Sequence, residues 1–186
     1  MDTFPELTTE RFVLRKIRLS DVPALLKHVN NKSITDQIIN FNYPYLEADA
    51  VARMHFVHEG FKNRERYVFL VAGKEDNALV GEIGIHLDMG NNRAEIGYWV
   101  AEPFWGKGIA SEVTAAVLKF GFETLELNKI YATHYLDNPG SGKVLVNNGM
   151  ILEAELKEHY RRGDGYGTVR QYRLTQEEYQ SAQASS

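Results

Sequence analysis

Arg93-Ala94-Glu95-Ile96-Gly97-Tyr98-Trp99-Val100-Ala101-Glu102-Pro103-Phe104-Trp105-Gly106-Lys107-Gly108-Ile109-Ala110-Ser111-Glu112-Val113-Thr114-Ala115-Ala116-Val117-Leu118-Lys119-Phe120 is the stretch on which the fold turns. Ala94, Ile96, Tyr98 and Val100 alternate with Glu95, Gly97 and Trp99, a period of two that predicts a strand with the first set facing a core. Pro103 ends it. From Ile109 the apolar positions move to helical spacing through Val113, Ala116, Val117 and Phe120, leaving Glu112, Thr114 and Lys119 for solvent. The product is a strand, a glycine turn and a helix.

The turn carries the chemistry. Gly106 and Gly108 remove side chains that would keep a ligand from the backbone, and the first N–H groups of a helix have no partners within it. Helix dipole and Lys107 add positive charge, so a phosphate fits there. The same residues also suit a plain tight turn whose glycines only supply positive φ, and the stretch alone leaves both readings open.

Gly108 and Ala110 fill the last two fixed positions of the acetyl-CoA pyrophosphate loop of the GNAT superfamily of N-acetyltransferases, Gln/Arg-x-x-Gly-x-Gly/Ala, although Trp105 stands at its first. Aromatic-Trp-Gly-Lys-Gly-x-Ala, preceded by Glu-Ile-Gly-Tyr-Trp, is similar to the RimJ/RimL-like branch, whose named members acetylate the N-termini of ribosomal proteins. The resemblance runs from Leu7 to Leu174. It implies a mixed α/β (α+β) GNAT-like acyl-CoA N-acyltransferase fold, a central, mostly antiparallel twisted sheet of about seven strands flanked by helices. It also implies acetyl-CoA as co-substrate, with Trp105, Gly106, Lys107, Gly108, Ile109, Ala110 and Ser111 around the phosphates. In the family the preceding strand splays so that its backbone pairs with the pantetheine arm, which falls here on Trp99 and Val100. Asn138-Pro139-Gly140-Ser141 resembles the family's Asn-x-x-Ser, with Asn138 on the pantetheine and Ser141 near the sulfur. Lys143 follows as a phosphate candidate or a plain solvated lysine, and Ser141 also reads as an ordinary N-cap.

Acetyl transfer to an amine needs an acceptor without its proton and a group to protonate the leaving thiolate. An α-amine has a pKa of about 7.7–8.0 and a lysine amine about 10.4, so an N-terminal acceptor requires only a weak base. Glu95 leads as that base because it sits on the cofactor strand, with Glu82, His86 and Glu158 behind it; Ser141 and Tyr160 are the proton donors to consider.

The 186 residues suit one domain spanning 1–186, with a net charge of −4 that argues against a nucleic-acid or membrane coat. No cysteine is present, which removes disulfides, thiolate metal sites and an acyl-cysteine route and suits a cytoplasmic chain. The six histidines include no pair at metal-ligand spacing tied to a carboxylate motif, so no metal is expected. Neither a basic, apolar leader nor a membrane-length run occurs, and a homodimer is compatible with the sequence.

Along the rest of the chain, residues 8–18 read as a first strand, and Ser20 as the N-cap of a helix through Val22, Leu25, Leu26 and Val29. A short helix and loop carry Ile34, Ile38, Ile39 and Phe41, and Tyr43 and Tyr45 are candidates to wall an acceptor groove. A helix over 47–64 places Val51, Met54, Val57, His58 and Phe61 on one face. A hairpin follows over 67–73 and 79–87. A strand over 129–136, a short helix ending near Gly149, two strands over 151–160 and 168–174, and a frayed polar tail over 176–186 complete the chain. The leading expectation is direct attack of a primary amine on acetyl-CoA, most simply a ribosomal-type protein α-amine. A polyamine, amino acid or antibiotic acceptor, and a non-catalytic acyl-CoA sensor, are the alternatives. A dinucleotide binder lacks its third glycine.

Overall fold

The computed structural model describes residues 3–38 and 41–184, so Ile39 of the early loop lies outside the described residues. Two short strands, β1 (Leu7–Thr8) and β2 (Phe12–Arg15), replace the single opening strand. The Thr9 hydroxyl accepts the Phe12 amide at 3.0 Å and folds the chain back between them. Helix α1 (Val22–Val29) starts without the expected Ser20 cap. Asp21 organises that entry instead: its carboxylate accepts from the Arg18 amide at 2.7 Å and from both terminal nitrogens of Arg15 at 2.9 and 2.8 Å.

Arg15 and Asp21 are both buried. Burial works to raise the Asp21 carboxyl, but the Arg15 and Arg18 hydrogen bonds outweigh it and hold the group below its ordinary range. A depressed folded pKa gives stability that is complete above the unfolded value of about 3.9 and is lost as pH falls through the folded one. Asp21→Ala is expected to cost about 3–5 kcal/mol, because it strands a buried guanidinium. Melting curves across pH 2–7 check it: the variant is less stable at neutral pH, and its deficit shrinks towards the acid end.

Helix α2 (Lys32–Thr35) is capped by Asn31, and α3 (Glu47–Lys62) lies across the sheet. The buried face of α3 is Ala50, Val57 and Gly60; Val51, assigned inward by hydrophobicity, is 40% exposed, and His58 is exposed. Packing selected the small residues here. A Cβ on Gly60 would lie 2.3 Å from the Arg66 side chain that crosses it.

Strands β3 (Arg66–Gly73), β4 (Leu79–Asp88) and β5 (Arg93–Val100) form an antiparallel meander. Helix α4 (Ile109–Lys119) then runs into one π turn, and β6 (Lys129–Tyr135), α5 (Pro139–Asn147), β7 (Ile151–Arg162), β8 (Gly165–Thr175) and α6 (Gln176–Ala184) follow. The sheet has eight strands in the order β1-β2-β3-β4-β5-β6-β8-β7. The expected count of about seven missed the split at the start.

Every neighbouring pair is antiparallel except β5 and β6, which pair in parallel over only Arg93↔Lys129, Ala94↔Ile130 and Glu95↔Tyr131. Beyond Glu95 the two strands part, and a wedge opens in mid-sheet. Both faces are covered. On one, Ile109, Val113 and Val117 of α4 pack with Phe69, Ile83 and Ile96; on the other, Leu25 of α1 and Val57 of α3 pack with Leu70 and Trp99. Trp99 is therefore as buried as its inward-facing neighbours, since α1 and α3 roof the second face. Thr114, spaced for solvent, is fully buried, because α4 contacts α5 as well as the sheet.

The expected frayed tail is a helix as far as Ala184. Thr175 and Glu178 form a capping box, the Glu178 amide donating to the Thr175 hydroxyl at 3.3 Å and the Glu178 carboxylate accepting the Thr175 amide at 2.9 Å. Tyr179 stacks on Phe122 at 4.8 Å. One apolar ring in a polar segment was enough to dock it.

Candidate active site

The wedge is walled on one side by the β5–α4 turn. Gly106 and Gly108 sit at φ +74° and +72°, and α4 begins directly after them, so its free N–H groups face the turn. The turn is braced from both directions. The Trp105 indole donates to the Val100 carbonyl at 2.6 Å, and Arg11 donates to the Lys107 carbonyl at 3.0 Å while pairing with Glu112 at 2.6 Å. The Lys107 ammonium lies 5.4 Å from the Phe104 ring centre.

This turn lines a cavity of about 900 Å³. Every residue that the sequence nominated for the cofactor reaches it: Trp99 and Val100 on β5, Trp105 to Ser111 in the turn, and Asn138, Ser141 and Lys143 on α5. Lys143 is exposed.

Helix α5 starts differently from the expectation. Asn138 is its cap, with the side-chain oxygen accepting the Ser141 amide at 3.2 Å, so Ser141 is the third helical residue and caps nothing. Its hydroxyl is left free for another partner. Ser141 Oγ lies 2.9 Å from the Tyr98 hydroxyl, which also donates to the Ser141 carbonyl at 3.1 Å. Burial lifts the Tyr98 phenol far above its ordinary range despite the serine contact, so it stays neutral. Period-two spacing assigned Tyr98 to the core and gave no sign that its hydroxyl emerges at this helix.

A second cavity of about 730 Å³ occupies the face under α3. It shares Gln37, Ile38, Tyr98, Trp99, Asn138 and Ser141 with the first, so the two meet beside the serine. Glu95 lines it and accepts from the Thr133 and Tyr160 hydroxyls, each at 3.2 Å. Tyr160 is pushed up to about 12, chiefly by burial. A bulge between Leu156 and Tyr160, with Glu158 at φ +51°, re-aims β7 so that Tyr160 reaches Glu95. Glu158 itself is exposed outside both cavities.

The other base candidates are tied up. Glu82 is buried in an ion pair with Arg53, whose guanidinium lies over Phe41 and Phe56 at 5.3 and 5.2 Å. Burial, with Arg53 and Arg66 nearby, brings His86 down to about 4, so it is neutral and weakly basic at physiological pH. Among the described residues Glu95 has no ion-pair partner. Of the two tyrosines assigned to a groove, Tyr45 lines this cavity and Tyr43 is exposed and does not. Arg53 was legible but unread, three residues after Ala50 and four before Val57 on the buried face of α3. Among the described residues no group of three or more His, Cys, Asp or Glu could hold a metal, and no helix is long and apolar enough to cross a membrane.

The family model of the acetyltransferase (GNAT) domain matches residues 11–151. The chain belongs to the GNAT acetyltransferases. As a GNAT N-acetyltransferase it is 37% identical over 100 residues to the ribosomal-protein-serine acetyltransferase of Escherichia coli (strain K12), a match spanning 53% of this chain and 55% of that protein. It is 25% identical to the spermidine N(1)-acetyltransferase of Vibrio cholerae over 91% of this chain and 95% of that one. A solved GNAT-family acetyltransferase from Bacillus anthracis superposes with a TM-score of 0.81 at 27% identity, covering 93% of this chain and 99% of the other. The eight-strand, mostly antiparallel sheet with its flanking helices matches the GNAT fold.

Proposed function

We propose that this enzyme transfers the acetyl group of acetyl-CoA to the N-terminal α-amine of a protein, of the ribosomal-protein type. The residues present fit the co-substrate: left-handed glycines and a helix N-terminus for the diphosphate, and a strand edge freed by the wedge for the pantetheine arm. Bound there, acetyl-CoA supplies the activated acetyl group. Glu95 takes the proton of the attacking amine, held by Thr133 and Tyr160, and an α-amine asks little of such a base.

The observation that carries the acceptor class is a set of side chains that line the second cavity and carry buried polar atoms without a partner. Trp99 Nε1, the Tyr45 hydroxyl and Gln37 Oε1 have no partner among the described residues. Turned toward the cavity, the indole and phenol can donate to a peptide carbonyl and the glutamine oxygen can accept a peptide N–H. A protonated polyamine carries no acceptor, and an indole left unpaired costs about 1–3 kcal/mol. A relative named for ribosomal-protein serine supports the same class.

A polyamine remains the second reading on one observation: Asp49, Glu82 and Glu95 line the cavity against Arg53 as the lone arginine there. Initial rates of thiol release decide between them. We expect a peptide with a free N-terminal serine to exceed both its N-blocked, lysine-containing counterpart and spermidine by at least about tenfold in kcat/KM. Faster turnover of spermidine overturns the assignment, and acetyl-CoA binding without release of thiol with any amine would favour a sensor.

A further inference from the structure

Glycine inside a strand weakens it by roughly 0.5–1 kcal/mol relative to alanine, so each such glycine asks for a reason. The neighbours of Gly97 have theirs. A Cβ on Gly84, directly across the ladder, would lie 3.0 Å from His86 and 3.3 Å from Val68, and one on Gly81 would strike the Trp99 carbonyl at 2.3 Å. A Cβ on Gly97 would meet nothing within 4 Å, and Gly97 has no positive φ. Neither packing nor backbone conformation requires glycine here.

Position 97 is exposed although β5 lies inside the sheet, because the second cavity opens over it. Ladder partners share a face, so Glu82 with Trp99, Gly84 with Gly97, and His86 with Glu95 form three successive rows. The middle row is bare backbone, about 6–7 Å along the strand from the rows on either side. Gly97 precedes Tyr98, which lines both cavities, yet Gly97 lines only the second.

We propose that Gly97 is the specificity-determining aperture of the acceptor cavity: its missing side chain lets the amine-bearing end of the acceptor lie against β5 and reach across to the cofactor cavity. This rests on the acetyl-transfer reading above and adds a size limit to it. A primary amine on a slim chain passes over the glycine row between Glu95 and Trp99. Any side chain at 97 narrows that passage and leaves the cofactor cavity untouched.

The chain contains no cysteine, so Gly97→Cys carries a single thiol that can be plugged in graded steps. Methyl and then benzyl methanethiosulfonate are applied, and dithiothreitol removes either plug. We expect labelling as fast as for an exposed thiol, with and without acetyl-CoA bound. Turnover of the serine-starting peptide or spermidine, whichever the unmodified enzyme uses, should fall about tenfold with the methyl plug and at least a hundredfold with the benzyl plug, and recover on reduction. Acetyl-CoA affinity measured by calorimetry should stay within about twofold throughout. Unchanged turnover after benzylation, a sealed thiol, or parallel loss of acetyl-CoA affinity each overturns the aperture. A failure of acetyl transfer itself is distinguishable: the unmodified enzyme would then turn over no amine, while labelling and affinity still report where position 97 lies. Gly97→Ala guards against misfolding, since open space predicts no loss of melting temperature, and a clear loss also overturns the proposal.

Discussion

Gly106→Glu lowers acetyl-CoA affinity by about a hundredfold or more while leaving the protein folded. Gly106 lines the first cavity at φ +74° with nothing within 4 Å of its missing Cβ, so a side chain there finds open space beside the helix N-terminus. Left-handed backbone costs an L-residue about 1–2 kcal/mol, but that strain is present with or without ligand and appears in stability rather than in affinity. Charge is what reaches binding. A carboxylate beside the N-terminus of α4 opposes the phosphates and occupies the positive end of the helix dipole, and like charges juxtaposed across an interface cost several kcal/mol, where each 1.4 kcal/mol is tenfold. Gly106→Gln separates the two effects, sharing the strain and bulk without the charge, and should lose much less. Gly106 is a cleaner probe than Gly108, where a Cβ would stand 3.8 Å from the Arg11 guanidinium, which would neutralise part of an introduced carboxylate. Calorimetry on the glycine, glutamine and glutamate forms checks the expectation. Equal affinity for all three would place the phosphates elsewhere.

How far the sequence carried depended on whether a signal was local. The β5–turn–α4 unit was legible because its period changes from two to 3.6 across two glycines, and all the nominated cofactor residues line one cavity. The wedge itself was not readable from spacing. It arises because β5 and β6 pair over three residues and then diverge, a long-range choice that no window on the chain contains. The same limit explains Trp99, left off the core-facing set by period, and Thr114, left for solvent, both of which are buried under elements far away in sequence. Ser141 was assigned to the cofactor by its resemblance to Asn-x-x-Ser, and the competing reading as a helix cap does not hold. A serine after Asn-Pro-Gly reads as a cap, but Asn138 reaches the amide first and releases the serine hydroxyl to Tyr98.

That correction sharpens the last expectation. With the cap supplied by Asn138, Ser141→Ala removes only the contact with Tyr98, a neutral hydrogen bond worth about 0.5–1.5 kcal/mol of stability. Its effect on kcat should be much larger, about a hundredfold, if the hydroxyl assists the departing sulfur. Tyr98 cannot be the ultimate proton source, because burial lifts its phenol so far that a tyrosinate there is strongly disfavoured. Its role follows from counting hydrogens. The Ser141 carbonyl only accepts, so a phenol bonded to it at 3.1 Å spends its single proton there and takes the serine proton in return at 2.9 Å. Rotating the phenol proton onto Ser141 Oγ leaves the serine O–H free to donate a hydrogen bond to the negative charge that develops on the sulfur, without the serine giving up its proton. Tyr98 is thus a positioning residue that acts through Ser141, and Tyr98→Phe should lower kcat about tenfold with acetyl-CoA affinity nearly unchanged. The double variant separates this from two independent effects: once the serine hydroxyl is gone the tyrosine has nothing to orient, so Ser141→Ala with Tyr98→Phe should match Ser141→Ala alone, about a hundredfold below the parent. Single-turnover rates make the comparison with chemistry limiting. A double variant about a thousandfold down would mean that the two hydroxyls act separately, and a Ser141→Ala enzyme within about threefold of the parent would leave proton delivery to Tyr160 beside Glu95.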